Sequence, residues 1–322
     1  MIIKPRKLPI KILQLEALLR RLPHHCARRV EIEEELFKYR AGYRGEKALD
    51  YDLQYIEENY DIYHGIRFFD GIHYVQIDTM LVSPSMIVIL EVKNYQGTIY
   101  LDHTFHQLIR TLNGKEDGYQ DPVVQVKRQQ AKLKEWLVKK SVDIPIESLV
   151  VVSNPNTIIK ANPHYTEALN KVILRTNLVT KLKSMEHNHT EEILTKKDRK
   201  RLTTLILKHH TPKLSNVLKQ FSLTADTIQS GVICPDCSSF PMKRVSATWY
   251  CPHCTHTSKI AHISALQDYA LLLDTTITNS KMRKFLHMDS VYVASKLLKS
   301  MQLPSSGENS GRVYQLPVPG WE

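Results

Sequence analysis

Three strand-like runs separated by two short turns constrain the fold of this chain more than any other feature. The runs cover residues 63–69, 72–82 and 86–93, and they are rich in β-branched and aromatic residues. Asp70-Gly71 and residues 83–85 (Ser-Pro-Ser) separate them and are typical turn sequences. Connections this short join antiparallel neighbours, so the region predicts a β-meander.

Helical patterns flank the predicted meander. Residues 8–38 have helical periodicity interrupted by Pro23, which predicts two helices, and a third is expected after Gly45. A strand after Gly97, over residues 98–101, is expected to extend the meander. Further along the chain a helix is predicted from Asp121-Pro122 to about residue 140, and strands at 149–152 and 172–174. This order predicts an α/β sandwich.

The charge balance points to a polyanionic partner. The chain has 322 residues with 44 Lys+Arg against 33 Asp+Glu, a formal net charge of +11. Such an excess attracts nucleic acid or an anionic membrane surface, although a basic face also simply keeps a protein in solution.

The longest apolar run, residues 86–90, is far shorter than a membrane span. With no secretory signal at the N-terminus, a cytoplasmic protein with no membrane partner is expected.

Two carboxylates and a lysine stand out on the second and third strands. Alternation puts Glu91 and Lys93 on the same side of their strand as Ile87 and Ile89. If Pro84-Ser85 form a two-residue turn, paired positions sum to 169 and Asp78 lies opposite Glu91. Like charges about 5 Å apart are destabilising unless a cation lies between them. A three-residue turn would instead place Asp78 opposite Leu90, and an ordinary solvated strand end remains the alternative.

Glu46 is a further candidate acid. It shares a helical stripe with Leu49, Leu53 and Ile56, where a carboxylate needs a partner and a metal would supply one. Alternatively, Glu46 lies at the edge of the stripe in a first helical turn, where acids favour the helix dipole.

These elements together resemble the PD-(D/E)XK nucleases. Gly45-Glu46, Asp78, Glu91-Val92-Lys93-Asn94 with Gly97, and Asp121-Pro122-Val123-Val124-Gln125 resemble the nuclease-related domain (NERD) family in particular, over about residues 38–155. The resemblance implies a mixed sheet flanked by helices and a Mg²⁺- or Mn²⁺-dependent hydrolysis of phosphodiesters in DNA. It implies metal ligands at Asp78 and Glu91, a catalytic Lys93, an accessory acid at Glu46 and a polar contributor at Gln125. Ile77 and Asp121 depart from the usual proline and asparagine of the motifs, and neither removes a catalytic group.

Four of the five cysteines form two matched pairs. Thirteen residues separate Cys234-Pro-Asp-Cys237 from Cys251-Pro-His-Cys254. Two such knuckles supply four thiolates to one structural Zn²⁺, and the hairpin-like sequence between them resembles a zinc ribbon. A redox-active Cys-x-x-Cys motif is the alternative, and the presence of two matched pairs argues against it.

The C-terminal residues predict a helix-turn-helix-like unit. Thr278-Asn279 and Ser290 cap two predicted helices, and an extended run follows the Gly/Ser-rich residues 304–311. The order resembles a winged helix, which implies that Lys296, Lys299 and Arg312 face DNA phosphates. A plain helical hairpin is the competing interpretation.

We therefore expect an α/β, PD-(D/E)XK-like nuclease domain with a small zinc ribbon and a C-terminal helix-turn-helix-like unit. The predicted boundaries are a helical segment (1–37), the nuclease domain (38–180), a charged helical linker (181–230), the zinc ribbon (231–258) and the winged-helix-like unit (260–322). The predicted function is a metal-dependent DNA nuclease. The alternatives are a non-catalytic DNA-binding or regulatory protein on a nuclease scaffold, and an RNA-processing factor.

Overall fold

A computed structural model describes residues 1–320 of the chain, except for the side chain of Ser310. Residues 321–322, the last two of the predicted C-terminal unit, lie outside the described residues. The helices are α1 (Ile10–Arg21), α2 (Arg29–Leu53), α3 (Pro122–Val138), α4 (Thr166–Lys171), α5 (Leu178–Asn188), α6 (Lys196–His209), α7 (Val217–Gln220), α8 (Ala261–Leu272), α9 (Asn279–Leu286) and α10 (Val291–Ser300). The strands are β1 (Ile2–Lys4), β2 (Asp61–Phe69), β3 (Tyr74–Val82), β4 (Ile87–Lys93), β5 (Thr98–Asp102), β6 (Gln107–Leu112), β7 (Lys115–Gln120), β8 (Ile146–Val152), β9 (Ile158–Ala161), β10 (Val172–Leu174), β11 (Lys243–Val245), β12 (Thr248–Tyr250), β13 (Thr257–Ser258), β14 (Thr276–Thr278), β15 (Ser305–Ser306) and β16 (Val313–Gln315).

The chain divides into two compact units. Unit 1 contains residues 1–7 and 40–213, and unit 2 contains residues 8–39 and the chain from residue 214 onward. Residues 181–213, predicted as the first part of a charged linker, lie in unit 1. The physical reason is that Leu202 and Ile206 of α6 are buried in the core that covers one face of its main sheet.

Unit 1 is built on a mixed six-stranded sheet in the order β1-β2-β3-β4-β8-β10. The neighbours β2, β3 and β4 are antiparallel, and β4 pairs parallel with β8. Helices α3 and α6 contribute to the core on one face of the sheet, whereas α2 and α5 contribute to the core on the other face. The prediction of an α/β fold with a mixed sheet between helices is confirmed.

The predicted strand after Gly97 does not extend the meander. Strand β5 belongs to a second, four-stranded sheet in the order β7-β6-β5-β9. Gly97 has φ +85°, and a Cβ there would collide with the carbonyl oxygen of Thr111. A left-handed residue in so tight a contact redirects the chain away from β4, which an alternation pattern does not reveal.

The helix predicted to start after Gly45 starts earlier in the structure, because α2 runs without a break from Arg29 to Leu53. Glycine is unfavourable inside a helix, so its presence there needs a reason. A Cβ on Gly45 would lie 2.6 Å from Asn94 Cβ and 2.7 Å from Ser153 Oγ. Gly45 therefore lets α2 approach the end of β4 closely.

Unit 2 contains two small sheets and several helices. One sheet has the order β11-β12-β13 and the other the order β14-β16-β15. Helix α1 packs against α8, where Arg21 Nε donates to Asp268 Oδ2 at 2.8 Å in a buried ion pair. Gln14 Nε2 of α1 donates to the carbonyl oxygen of Leu271 at 2.8 Å.

Candidate active site

The β3–β4 hairpin has the register that alternation and a two-residue turn predict. The backbone pairs run from Val82 with Ile87 to Thr79 with Leu90, and each pair of positions sums to 169. Ser83 N donates to the carbonyl oxygen of Met86 at 2.9 Å, which closes the two-residue turn. The alternative three-residue turn is therefore wrong.

Asp78 lies where the backbone ladder of this hairpin ends. Asp78 is one position beyond the last backbone pair, Thr79 with Leu90, and its Oδ2 accepts a hydrogen bond from Val92 N at 3.0 Å. Burial raises the pKa of Asp78 well above its ordinary value, and the charges of Glu91 and Glu46 raise it further. The carboxylate is thus crowded by two others, which disfavours its charged form.

Glu91 is buried, with 3% of its surface exposed, and both of its oxygens are hydrogen-bonded. Lys93 Nζ and Gln125 Nε2 each donate to Oε1 at 2.7 Å. Gln129 Nε2 donates to Oε2 at 2.8 Å. A buried carboxylate with this many donors is held in one orientation.

Helix α3 supplies both glutamines because of how it begins. Asp121 is its N-cap, with its side chain accepting from Val123 N, and Pro122 occupies the first turn. This start directs Gln125 and Gln129, one helical turn apart, toward Glu91. Gln129 was absent from the sequence prediction, although its i+4 spacing from Gln125 was a usable signal. It also donates to the carbonyl oxygen of Gln76 at 3.0 Å, which ties α3 to β3.

Lys93 completes a closed triangle of hydrogen bonds. Its Nζ donates to Gln125 Oε1 at 2.9 Å as well as to Glu91. Burial by itself would lower the pKa of Lys93, but the charge of Glu91 and the hydrogen bond to it outweigh burial and raise it. The side chain is therefore an ammonium ion at neutral pH.

Glu46 is held by an arginine from the N-terminal segment. Arg6 Nη1 donates to Glu46 Oε2 at 2.7 Å, and its Nε donates to Asp50 Oδ1 at 2.9 Å. Burial raises the pKa of Glu46, Arg6 acts against this, and the charge of Glu91 adds to it. Because Glu46 lies deep within α2, the alternative of a first-turn position at a helix dipole is wrong.

Arg6 makes further contacts on the side of the sheet that faces α2. Its Nη2 lies 2.9 Å from His64 Nδ1 and donates to Thr79 Oγ1 at 3.2 Å. Burial, Arg6 and Lys4 lower the pKa of His64 to about 3, so the imidazole is neutral. The sequence offered no signal for Arg6, because its partners lie 40 or more positions away.

The three acids fit a divalent cation by their chemistry. Carboxylate oxygens are the ligands that Mg²⁺ and Mn²⁺ prefer, and Mg²⁺ commonly takes one or two of them with waters. Burial raises the pKa values of Asp78 and Glu46, and the charge of Glu91 adds to both; a cation would relieve this charge repulsion. Among residues 1–320 these acids do not form a group of three with oxygens within 4.8 Å of one another.

The four predicted cysteines come together in unit 2. The Sγ atoms of Cys234, Cys237, Cys251 and Cys254 all lie within 4.8 Å of one another. Cys234 and Cys254 are 3.6 Å apart at Sγ, as are Cys237 and Cys251. Zn–S bonds of about 2.3 Å in a tetrahedron require sulfur separations of about 3.8 Å. The cluster fits a zinc ribbon, and the predicted hairpin between the knuckles is present as β11 and β12.

The tryptophan in this hairpin belongs to the core of the module. Trp249 is completely buried, and its Nε1 donates to His262 Nδ1 at 3.2 Å. The Arg244 guanidinium carbon lies 5.2 Å from the Trp249 ring centroid. Trp249 thus packs the module rather than presenting a surface to nucleic acid.

The C-terminal part of unit 2 combines three helices with a three-stranded sheet. Helix α8, strand β14, helices α9 and α10 and strands β15 and β16 follow one another, and β16 pairs antiparallel with both other strands. Thr278 and Ser290 cap α9 and α10 as predicted. Lys296 and Lys299 are exposed on α10, whereas Arg312 is half-buried just before β16.

The α/β fold of unit 1 places the carboxylate–lysine group at the end of β4. Residues 41–153 match the model of the nuclease-related domain family, NERD. The chain therefore contains a nuclease-related domain, and the match includes every proposed residue from Glu46 to Gln125. Arg6, the zinc ribbon and the C-terminal unit lie outside it. No curated protein and no solved structure matches the chain. Across residues 1–320, no helix combines the length and apolar character needed to cross a membrane.

Proposed function

We propose that this protein is a metal-dependent nuclease that hydrolyses phosphodiester bonds in DNA. The observation that carries the proposal is the hydrogen-bonded group of Glu91, Lys93 and Gln125 at the end of β4, with Asp78 beside it. This group lies inside the segment that matches the nuclease-related domain.

Asp78 and Glu91 are the residues that would hold a Mg²⁺ or Mn²⁺ ion, with Glu46 as an accessory acid. When bound, such a cation supplies a Lewis acid for the phosphate and lowers the pKa of a bound water. Cation binding requires the charged form of Asp78, so it competes with the proton that crowding favours. This supports a site whose occupancy falls as the pH falls.

Lys93 acts as a cation and not as a general base in this proposal. Its raised pKa keeps the proton on Nζ, so the ammonium group can stabilise negative charge that develops at the scissile phosphate. Gln125 positions Lys93 through Oε1 and Glu91 through Nε2. Gln129 keeps the second oxygen of Glu91 in place.

Unit 2 supplies the accessory DNA contacts. The zinc ribbon would hold a structural Zn²⁺, because all four ligand positions are cysteines. We assign phosphate contacts to Lys296 and Lys299, which are exposed on α10, and to Arg312 next to β16. These contacts would raise affinity without sequence selection.

A non-catalytic DNA-binding protein on a nuclease scaffold is the second candidate. The winged-helix order of the C-terminal elements favours it, because such a unit binds DNA without cutting it. The complete set of Asp78, Glu91 and Lys93 weighs against it, because a binding scaffold has no use for a buried carboxylate–ammonium pair next to a second acid.

The test is cleavage of supercoiled, linear and single-stranded DNA by the zinc-loaded full-length protein. Cleavage is expected with added Mg²⁺ or Mn²⁺ and is expected to stop in Glu91→Ala and Lys93→Ala. Glu116→Ala and Lys115→Ala are matched controls, since both residues are exposed on β7 in the second sheet. Undiminished cleavage in the two site variants would refute the site. No cleavage of any substrate by the wild type would favour the second candidate.

A further inference from the structure

The hairpin formed by β2 and β3 continues past the candidate active site and ends in exposed apolar side chains. Tyr74 lies four residues before Asp78 on β3, a distance of about 13 Å along a strand. Phe69, Ile72 and Tyr74 are 48%, 72% and 51% exposed. An exposed apolar patch at the tip of a hairpin is typical of an interaction site.

Two of these residues and an arginine form a continuous surface with tilted rings, which we call the hairpin platform (Arg67, Phe69 and Tyr74). Phe69 and Tyr74 are paired across the two strands, with ring centroids 5.2 Å apart. The Arg67 guanidinium carbon lies 3.6 Å from the Tyr74 ring centroid. The hairpin platform therefore offers flat π surfaces together with a positive charge.

The turn that carries the hairpin platform is held rigidly. Asp70 Oδ1 accepts hydrogen bonds from Ile72 N and His73 N, both at 2.7 Å. These backbone donors lower the pKa of Asp70 to about 2, so its charge is permanent in the neutral range. Arg67 Nη1 also donates to the carbonyl oxygen of Thr211 at 3.1 Å. A surface ordered in advance loses little entropy when a ligand binds.

Helix α3 connects the hairpin tip with the active-site group. Lys132 Nζ lies 3.4 Å from Asp70 Oδ2 at the tip. Two turns earlier on the same helix, Gln125 holds Glu91 and Lys93. Lys132 is paired with Asp70 and with Glu135, so the positive charge on the path from the tip to the carboxylates is that of Arg128, which is exposed between them. A ligand that combines flat rings with negative charge fits this path, and nucleic acid has both.

We propose that the hairpin platform stacks an unpaired nucleic-acid base a few nucleotides from the scissile phosphate. Substrates with a single-stranded segment next to the cleavage point are then preferred, because the bases of an intact duplex are already stacked on one another. The position of this base relative to a cleaved phosphate rests on the proposed nuclease function. Base stacking itself can be measured without cleavage.

The experiment measures binding by fluorescence anisotropy without added Mg²⁺ or Mn²⁺. The probes are a fluorescein-labelled single-stranded DNA, the RNA of the same sequence and the blunt DNA duplex. The zinc-loaded full-length protein is compared with Tyr74→Ala, Phe69→Ala and Tyr74→Phe. Phe105→Ala is the matched control, because Phe105 is 76% exposed in the turn between β5 and β6 of the second sheet.

The wild type is expected to bind the single strand more tightly than the duplex. Tyr74→Ala and Phe69→Ala are expected to weaken single-strand binding roughly tenfold, in the range of one lost base–aromatic stack. Tyr74→Phe keeps the ring and is expected to bind like the wild type. A similar loss on the RNA would support stacking on the base irrespective of the sugar.

Three results would overturn the inference. One is unchanged single-strand binding in both alanine variants, and another is an equal loss in Phe105→Ala. The third is a dimer in sedimentation velocity that disappears in Phe69→Ala, since a second copy would then occupy the hairpin platform. If the wild type stacks bases but cuts no substrate, the nuclease function alone is refuted. If the wild type cuts DNA but the two alanine variants bind single strands as tightly as it does, base stacking alone is refuted.

Discussion

Replacing Arg6 by methionine should cost stability and move the pH dependence of activity in one defined direction. The arginine side chain is 5% exposed and forms ion pairs with Glu46 and Asp50, whose side chains are 25% and 33% exposed. Removing one partner of a fully buried pair costs about 3–5 kcal/mol. Because both acids are partly solvated, we expect a smaller loss, about 2–3 kcal/mol in the free energy of unfolding.

The pH effect follows from the same contacts. Arg6 lowers the pKa of Glu46 against burial and against the charge of Glu91. Without Arg6, the pKa of Glu46 rises further, so Glu46 takes up its proton at a higher pH. The acidic limb of the cleavage-rate profile should therefore move to higher pH in Arg6→Met. Arg6→Lys retains the charge but not the fork of donors, so it should lose stability and keep the acidic limb close to that of the wild type.

The assay combines urea denaturation followed by circular dichroism with single-turnover cleavage between acidic and neutral pH. Arg110→Met is the matched control, because Arg110 makes one ion pair with Asp117 at 2.7 Å in the second sheet. Its loss should cost less than about 1 kcal/mol and leave the pH profile unchanged. In Glu46→Gln, the additional cost of Arg6→Met should shrink, because one of its two charged partners is gone. Equal costs for Arg6→Met and Arg110→Met, or an unmoved acidic limb, would refute this account of Arg6.

Three further predictions concern single side chains. Asp78→Asn should raise the melting temperature of the metal-free protein at neutral pH. Each kcal/mol gained in the free energy of unfolding corresponds to a rise of about 2–4 °C. Because the pKa of Asp78 is raised in the folded state, this gain in stability should shrink as the pH falls. It should vanish at a pH where Asp78 is protonated in the unfolded chain as well. A gain that does not depend on pH would contradict the reasoning. Gln129→Ala leaves one Glu91 oxygen without its donor and should lower metal affinity or cleavage about 10–100-fold, whereas Gln130→Ala should not. Cys251→Ser should abolish the binding of one equivalent of zinc measured by metal analysis, and full retention of zinc would disprove the four-cysteine site.

The register of the β3–β4 hairpin was predictable because it depends on neighbouring residues. A two-residue turn at Pro84-Ser85 and the alternation of β4 determine which positions pair, and the structure has that register. The cysteine cluster was predictable for the same reason, because spacing within each knuckle limits where its thiolates can point.

What the sequence did not show depends on contacts between distant positions. Arg6 meets Glu46 and Thr79 across long stretches of chain, and no local pattern specifies such a contact. The second sheet was missed because Gly97 turns the chain through a left-handed conformation that alternation does not detect. Gln129 is a different case, because its spacing from Gln125 was visible and only the direction of α3 toward Glu91 was missing.

The most direct test of the central claim is a calorimetric titration of Mn²⁺ into the zinc-loaded protein. One Mn²⁺ site is expected in the wild type, weaker at acidic pH, that is lost in Asp78→Asn and in Glu91→Gln and retained in Glu116→Gln. Mn²⁺ binding of undiminished affinity in both site variants would show that the end of the β3–β4 hairpin is not a metal site and would contradict the account.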